Sequence, residues 1–349
     1  MLTWDRLKRI DVEPDHDVWK NYAASKVVHP AVLTYLASRK KDFYMVESTA
    51  DGKHFVTARG WDDMSEMIKL YEENDLTVDE MLISQYIQTP KIAKDFAIYY
   101  DLFTKYKSDY KIEEILAGDL SEDILFRAQR APLDERLSVL GILFDAVTGM
   151  LREVCEKEDA LDILMPVLKS SKAGFAAGEK PEVILSGLIA EQEEMLRKGT
   201  KASALSPGRQ RAVKRTIAAL EGFRKNVITR RETGGEEAFE IVRKGFEAIV
   251  DDLKASVKEG KAALGNAFSF CERAFETENE SVSAERKPGG KISGDEILIF
   301  VTELTVNYYT ARFIGHYGCE KYYMHNKELQ FAQRQAELTE RIEQFNWEI

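Results

Sequence analysis

The sequence VTARGWDDMSEMIKLY occupies residues 56–71 and decides the fold class of the first part of the chain. Apolar side chains recur in it at steps of three and four residues: Trp61, Met64, Ile68 and Tyr71. This spacing predicts an amphipathic helix that begins near residue 60 and packs its apolar face against a core. Arg59 stands at the entrance of this helix, so a well-anchored helix start is expected to present its guanidinium.

Acidic residues follow Arg59 and are expected in the first turn of the helix: Asp62, Asp63 and Glu66. Carboxylates in the first turn suit the positive end of the helix dipole. Taken alone, Arg59 is expected to be a surface arginine paired with a nearby carboxylate. The segments around the helix favour a different interpretation.

These segments resemble a known family. Residues 43–47 (FYMVE) and 51–65 (DGKHFVTARGWDDMS) are similar to the lid subdomain of MoxR-like AAA+ ATPases. In that family the arginine at the position of Arg59 is the sensor-2 residue, which contacts the nucleotide bound to its own subunit. The resemblance implies that Arg59 is a nucleotide-binding residue.

The resemblance extends upstream and downstream of the lid. Residues 4–12 (WDRLKRIDV) are similar to the end of the family's nucleotide-binding core, where Arg6 matches the arginine finger that acts in trans. Further similarity is found at residues 78–80, 87–90 and 96–110, and more loosely at residues 302–305 and 317–320. The specific part of the resemblance covers positions 1 to about 117.

Length and composition limit the number of domains and the kinds of partner that the chain can have. The chain has 349 residues, of which 44% are hydrophobic, which suffices for two or three domains with their own cores. The net charge of −11 argues against broad binding of nucleic acid or of anionic membranes. No apolar run approaches the roughly 20 residues of a membrane span. A soluble cytoplasmic protein with reduced thiols at Cys155, Cys271 and Cys319 is expected.

The N-terminal residues predict a strand without a partner. Residues 7–12 have the character of one short strand, and no other segment before residue 42 does. A lone strand leaves its backbone donors and acceptors unpaired. In an AAA+ protein the partner strands would precede residue 1, so the chain is expected to be the C-terminal part of a longer protein.

A helical subdomain is predicted to follow. Two helices are expected between residues 15 and 41, the second opened by Pro30, and a small hairpin or extended loop is expected around residues 50–53. Further helices are predicted at residues 60–74, 79–88, 91–107 and 110–117, the last ending at Gly118.

Beyond residue 121 the pattern predicts long amphipathic helices. Separate helices are expected at residues 133–155, 160–168 and 183–196. The most regular helix follows Gly235 and carries an apolar seam from Phe239 to Phe275, which could extend about 60 Å. Two interpretations stay open for it: an exposed coiled-coil-like arm, or a helix buried along one side of its own bundle.

The C-terminal part is expected to begin with a flexible connection at residues 277–293, which contains Pro288. A helix is then predicted from Ile297 through Ala311, with a break at Gly315 and Gly318, and a final polar helix at residues 320–345.

Two motifs resemble sites of chemistry but are incomplete. The sequence GGKIS at residues 289–293 is similar to a phosphate-binding loop, but Glu285 stands where that loop needs its first glycine and Ile292 replaces the Ser or Thr. No acidic pair follows an apolar run, so the magnesium-binding motif is not found either. The side chains of His316, Cys319 and His325 could bind a metal, but the sequence shows no fourth ligand and a structural role is expected.

A basic stretch at residues 197–231 contains Glu221 as its single acid. It could bind an acidic partner or nucleic acid. The simpler interpretation is a basic helix that pairs with acidic neighbours such as those of residues 232–252, and no aromatic residues alternate with the charges as a single-strand binder would need.

These observations predict a mainly α chain in three parts: a remnant of an AAA+ core with one short strand at residues 1–14, a helical lid at 15–118, and a long-helix domain at 119–349. The resemblance implies a ring-forming, ATP-dependent remodelling machine of homo-oligomeric type that uses ATP and Mg²⁺ and acts with a von Willebrand factor A domain protein. Neither a membrane nor nucleic acid is expected as a partner. The chain alone is expected not to hydrolyse ATP. The alternative is a helical adaptor that works without ATP.

Overall fold

A computed structural model describes residues 13–26, 28–49, 52–229, 235–275, 277–278, 291–292 and 294–330. The described chain is predominantly helical, as the sequence predicted. It divides into two compact units, Met1–Asp109 and Tyr110–Ile349. The predicted strand at residues 7–12, and with it most of the proposed core remnant at 1–14, lies outside the described residues.

The first unit contains five helices and a hairpin within its described residues. In chain order its elements are α1 (His16–Lys26), α2 (Pro30–Ser38), a 3₁₀ turn (Lys40–Asp42), β1 (Met45–Thr49), β2 (Gly52–Val56), α3 (Ala58–Glu73), α4 (Glu80–Ser84) and α5 (Pro90–Asp109). Strands β1 and β2 pair antiparallel, with Met45 opposite Val56 and Thr49 opposite Gly52. The predicted hairpin is therefore confirmed.

Aromatic rings form the centre of the first unit. Tyr35 of α2, Trp61 of α3 and Phe96 of α5 are fully buried. The ring centroids of Tyr35 and Trp61 lie 5.7 Å apart, and that of Phe96 lies 5.2 Å from Tyr35 and 5.4 Å from Trp61. Tilted and edge-to-face contacts at these distances are the favourable arrangement for aromatic pairs. They join α2, α3 and α5 into one core.

The second unit consists mainly of long helices. Its elements are α6 (Ile112–Ala117), α7 (Glu122–Arg130), α8 (Leu133–Ala176), α9 (Pro181–Lys201), α10 (Pro207–Thr229), α11 (Gly235–Phe275), β3 (Thr277–Glu278), β4 (Lys291–Ile292), α12 (Asp295–Val306) and α13 (Tyr308–Tyr317), and residues 320–330 are also helical.

The division between the units precedes the end of the predicted lid at residue 118. Helix α6 belongs to the second unit because both of its ends are hydrogen-bonded there. The Tyr110 hydroxyl donates a hydrogen bond to Glu135 of α8 at 2.9 Å, and the Asn266 side chain of α11 donates one to the Leu116 carbonyl at 2.9 Å. Gly118 ends α6 in a left-handed conformation with φ of 95°, which glycine adopts readily. The predicted end of this helix is confirmed.

Helix α8 is one continuous helix of 44 residues, so the prediction of separate helices at 133–155 and 160–168 is wrong. The helix continues through Gly149 and Pro166. A glycine costs a helix about 1 kcal/mol and a proline about 3 kcal/mol, and both are local penalties. Packing against α10, α11 and α13 along its length outweighs them.

Helix α11 is one continuous helix of 41 residues, and its predicted apolar seam is confirmed. Val242, Leu264 and Phe268 are buried, and the helix packs on α6, α7, α8, α10 and α12. Of the two interpretations left open by the sequence, the structure supports the helix that is buried along one side of its own bundle.

The predicted break near the C-terminus is confirmed in part. Gly318 ends α13 with φ of 71°, as predicted, whereas Gly315 lies inside that helix. A further break, which the sequence did not predict, falls at Asn307, whose extended backbone separates α12 from α13. The Asn307 side chain accepts hydrogen bonds from the N–H groups of Tyr309 and Thr310, which caps α13. Most of the predicted connection at 277–293 and the end of the predicted helix at 320–345 lie outside the described residues.

None of the helices among the described residues combines the length and the apolar character needed to span a membrane.

Candidate functional site

The first predicted site residue, Arg6, lies outside the described residues. The second, Arg59, is in the first turn of α3, with 88% of its side chain exposed. Its Nε lies 3.4 Å from Oδ2 of Asp63, one turn further along the helix. This is the surface pair that the local sequence predicts, and its guanidinium remains open to solvent.

Three features fix the start of α3. The Thr57 side chain accepts a hydrogen bond from the Gly60 N–H at 3.1 Å and thereby caps the helix. A Cβ atom at Gly60 would lie 2.8 Å from the Tyr86 carbonyl oxygen, so only glycine fits against that backbone. Trp61 is fully buried and its Nε1–H donates to the Phe43 carbonyl at 3.2 Å. Arg59 therefore projects from a rigid base.

The first turn of α3 holds no carboxylate, which corrects the prediction for Asp62, Asp63 and Glu66. The helix begins at Ala58 because Thr57 is the cap, so Asp62 and Asp63 fall one turn further in and Glu66 lies beyond them. Asp62 accepts a hydrogen bond from Trp19 at 3.2 Å, and burial raises its pKa. The positive end of the helix dipole and the Arg59 guanidinium thus lie together without an acid in the same turn.

This arrangement can bind an anion by exchange. An exposed pair four residues apart on a helix, such as Arg59 with Asp63, is worth only about 0.3–0.5 kcal/mol. A phosphate group can offer the guanidinium two charge-assisted hydrogen bonds. Breaking the ion pair with Asp63 therefore costs less free energy than two hydrogen bonds to a correctly placed phosphate would supply.

The structure also shows polar clusters that the sequence did not predict. In the first unit, the buried imidazole of His29 accepts a hydrogen bond from the Ala31 N–H at Nδ1, which leaves Nε2 to donate to Glu72 at 3.2 Å. Tyr100 donates to the second oxygen of Glu72 at 2.8 Å. The hydrogen bond from His29 lowers the pKa of Glu72. This cluster joins α2, α3 and α5.

In the second unit, Glu156 of α8 is buried and binds two arginines of α10. Nε of Arg211 lies 2.6 Å from Oε1 of Glu156, and Arg215 reaches Oε2 at 3.5 Å. Arg211 also donates to the Tyr309 hydroxyl of α13 at 2.9 Å. Arg211 and Arg215 of the basic stretch at 197–231 thus pair within the chain, as the simpler interpretation predicted. Their acidic partners lie on α8 and not among residues 232–252.

A neighbouring network holds α13 against α8. Arg312 lies 3.1 Å from Glu158 and 2.9 Å from Asp159, and Tyr317 donates to Glu158. Cys155 lies between the two networks, and burial raises the pKa of its thiol to about 12. The partners are more than 50 residues apart in sequence, so no local pattern could have revealed these networks.

The other candidates from the sequence do not converge on one site. His325 is buried, stacks on Phe268 with a centroid distance of 5.7 Å and lies 3.0 Å from Glu272. His316 lies 3.7 Å from Glu158. Within the described parts of the chain, no three His, Cys, Asp or Glu residues are grouped as metal ligands would be. Residues 289 and 290 of the loop-like motif lie outside those parts.

Comparison with protein-family models, with curated proteins and with solved structures finds no match to this chain.

Proposed function

We propose that the chain is the C-terminal region of a MoxR-like AAA+ ATPase, with the end of the nucleotide-binding core at 1–14, the lid at 15–118 and a helical domain at 119–349. The last helix of this lid, α6, packs in the second compact unit. The proposal rests on the resemblance of residues 4–12, 43–47 and 51–65 to that family. The helical character of both units is compatible with it.

The observation that carries the proposal is the presentation of Arg59. A sensor arginine must reach a phosphate, so its guanidinium has to be open to solvent in the free lid. It must also be fixed rigidly to the lid, because only then can its contact with the nucleotide rotate the whole subdomain. Arg59 meets both requirements, because its side chain is exposed while Gly60 and Trp61 fix its helix.

In the complete ATPase, Arg59 contacts the phosphates of the nucleotide in its own subunit. Arg6 acts in trans and stabilises the charge that develops on the transferred phosphoryl group, a role worth about 10³ to 10⁵ in rate where arginine fingers have been quantified. ATP and Mg²⁺ are the cofactors of that assembly. The assembly is a homo-oligomeric ring in the cytoplasm, with a von Willebrand factor A domain protein as its partner.

Two measurements test this proposal. Isothermal titration of the chain with MgATP is expected to show no tight binding, and micromolar affinity would contradict it. In the complete ATPase, Arg59→Ala is expected to lower turnover and change the affinity for nucleotide. Lys94→Ala removes an exposed cation of α5 and is the matched control, with unchanged turnover.

The second candidate is a helical adaptor that acts without ATP. The length of α8 and α11, at 44 and 41 residues, favours it, since long packed helices offer an extended surface to a partner. The coding sequence upstream of Met1 separates the two candidates. An in-frame glycine-rich phosphate loop and an acidic magnesium motif support the ATPase, and their absence from that sequence supports the adaptor.

A further inference from the structure

Strand β1 has a free edge whose backbone groups can be identified. The Phe55 carbonyl of β2 accepts a hydrogen bond from the Gln88 N–H at 3.2 Å, so it points away from β1. Phe55 is opposite Val46 in the register, which makes this a pair without mutual hydrogen bonds. By the same alternation, the N–H and C=O groups of Val46 and Ser48 point away from β2.

Within the described residues, the backbone groups of Val46 and Ser48 that point away from β2 have no hydrogen-bond partner outside the hairpin. A row of unpaired donors and acceptors at the edge of a sheet is a template for another strand. On the other side of the hairpin, Gln88 already covers β2 in this way.

An apolar patch lies beside the free edge. Val46 is 55% exposed and Phe55 is 38% exposed, and as a directly opposed pair they lie on one face of the hairpin. Tyr44, two residues before Val46, is 47% exposed. A strand added at the edge of β1 would place alternate side chains against this patch.

Charge at the edge discriminates between possible occupants. Glu47 lies between Val46 and Ser48 and is exposed. If two copies of the chain paired through Val46 and Ser48 of both, Glu47 would face Glu47 of the other copy, and like charges directly opposite each other are destabilising. An added strand with a basic residue opposite Glu47 has the complementary charge.

We propose that the edge of β1 is a docking site for an extended peptide segment of a partner protein. The segment pairs antiparallel with Val46 and Ser48, covers Val46 and Phe55 with apolar side chains, and places a lysine or arginine opposite Glu47. This is strand addition to an exposed sheet edge, in which the main chain supplies affinity and the side chains supply specificity. The inference does not depend on nucleotide binding by Arg59.

Fluorescence polarisation with the full chain tests the proposal. The probe is the peptide Thr-Val-Lys-Val-Thr-amide with a fluorophore on its N-terminal nitrogen, which leaves the lysine side chain charged, and its counterpart has glutamate at the centre. The lysine peptide is expected to bind about threefold more tightly, the scale of a cross-strand charge pair. Val46→Pro removes an outward N–H, a change that edge strands tolerate, and is expected to weaken binding about fivefold.

A charge reversal supplies the decisive comparison. Glu47→Lys is expected to reverse the preference, so that the glutamate peptide binds more tightly. Glu73→Lys changes the same charge on an exposed residue at the end of α3 and is expected to keep the original preference. Equal affinity of both peptides for the unaltered chain and for Glu47→Lys would overturn the proposal.

Misfolding of the Val46→Pro variant and self-association of the chain are measured separately. Far-UV circular dichroism identifies a Val46→Pro chain that fails to fold, and the charge reversal then decides alone. Sedimentation of the unaltered chain is expected to show no self-association sensitive to Val46→Pro. A dimer that this variant dissociates would assign the edge to a second copy of the chain and overturn the peptide proposal.

Discussion

Gly60 lies against the main chain of Tyr86 so closely that an added Cβ would stand 2.8 Å from the Tyr86 carbonyl oxygen. The obstacle is backbone, which cannot swing aside as the end of a flexible side chain can. The segment that carries Tyr86 is itself held, since the next-but-one residue, Gln88, bonds to Phe55 of the hairpin. The backbone beneath Arg59 is therefore held in place as one fixed corner, which consists of the start of α3, the hairpin and the segment after α4.

Substitution of Gly60 is expected to strain this corner. Gly60→Ala should lower the free energy of unfolding of the chain by about 1–3 kcal/mol, the usual cost of overpacking. Gly149→Ala is the control, because nothing lies within 4 Å of its Cβ position in α8. There the same change should stabilise by about 0.5–1 kcal/mol. Urea melts of both variants measure the difference, and equal effects would contradict the close approach at Gly60.

The His29–Glu72 pair predicts that the stability of the first unit depends on pH. The folded-state pKa of Glu72 is lowered, so the pair contributes fully above the ordinary glutamate range and is lost as the pH falls through the lowered value. Stability of the chain should therefore fall in acid more steeply than that of Glu72→Gln. Urea midpoints at pH 7 and pH 3 measure this. Parallel curves would show that the pair carries no such contribution.

The buried Glu156 predicts a large effect of losing its partner. Arg211→Leu should destabilise the chain by about 2–3 kcal/mol, because the buried Glu156 carboxylate loses its shortest contact and retains only the longer ones, to Arg215 at 3.5 Å and to Arg152 at 3.9 Å. The double variant Glu156→Leu, Arg211→Leu should recover part of that loss. Arg197→Leu, at an exposed pair with Glu194, is the control with little change. Thermal melts that rank the double variant below the single one would contradict this account.

The helices and the hairpin were predictable where a local pattern determines them. The seam from Phe239 to Phe275 predicted α11 because every third or fourth position is apolar. In the structure this apolar face of the helix is the one that is buried. Gly118 predicted the end of α6 because its left-handed backbone suits glycine. In each of these cases the signal and its structural consequence lie within one or two turns.

The remaining features depend on contacts between distant segments. Pro166 predicts a helix end by its own chemistry, yet α8 passes through this exposed position because Leu164 and Leu168, on either side of it in sequence, pack in the core of the second unit. Arg211 and Glu156 are two of many charged residues, and only the packing of α10 on α8 selects them as partners. At the candidate site, sequence identified Arg59, but its rigidity depends on Tyr86, which no pattern around Arg59 reveals.

The packing of α11 predicts the effect of truncating its seam. Phe246 is partly buried against the core formed by α8, α9, α10 and α11, so Phe246→Ala should cost about 2–3 kcal/mol. Leu253 is half-buried and Leu253→Ala should cost less. Lys254→Ala, on the exposed face, is the control. Denaturant melts measure the three, and a negligible loss for Phe246→Ala would favour an exposed arm over a packed helix.

In the proposed complete ATPase, Arg6→Ala is expected to remove a contact between subunits, whereas Arg59→Ala is expected to remove a contact within one subunit. In that proposal Arg6 reaches the nucleotide of the neighbouring subunit, so Arg6→Ala should abolish turnover. Mixing it with subunits whose only change is a disabled phosphate loop should restore part of the activity, because a subunit with an intact nucleotide site then meets a neighbour with an intact Arg6.

Arg59→Ala should behave differently in the same mixing experiment. Its proposed contact lies within one subunit, as does the phosphate loop, so a mixed ring of these two variants has no subunit with a complete nucleotide site. No rescue is therefore expected, and the affinity for nucleotide should change together with turnover. Steady-state ATP hydrolysis over a range of mixing ratios distinguishes the two patterns. Unaltered hydrolysis in both single variants would remove the finger and the sensor assignments together, while rescue of Arg59→Ala would move that residue to the interface between subunits.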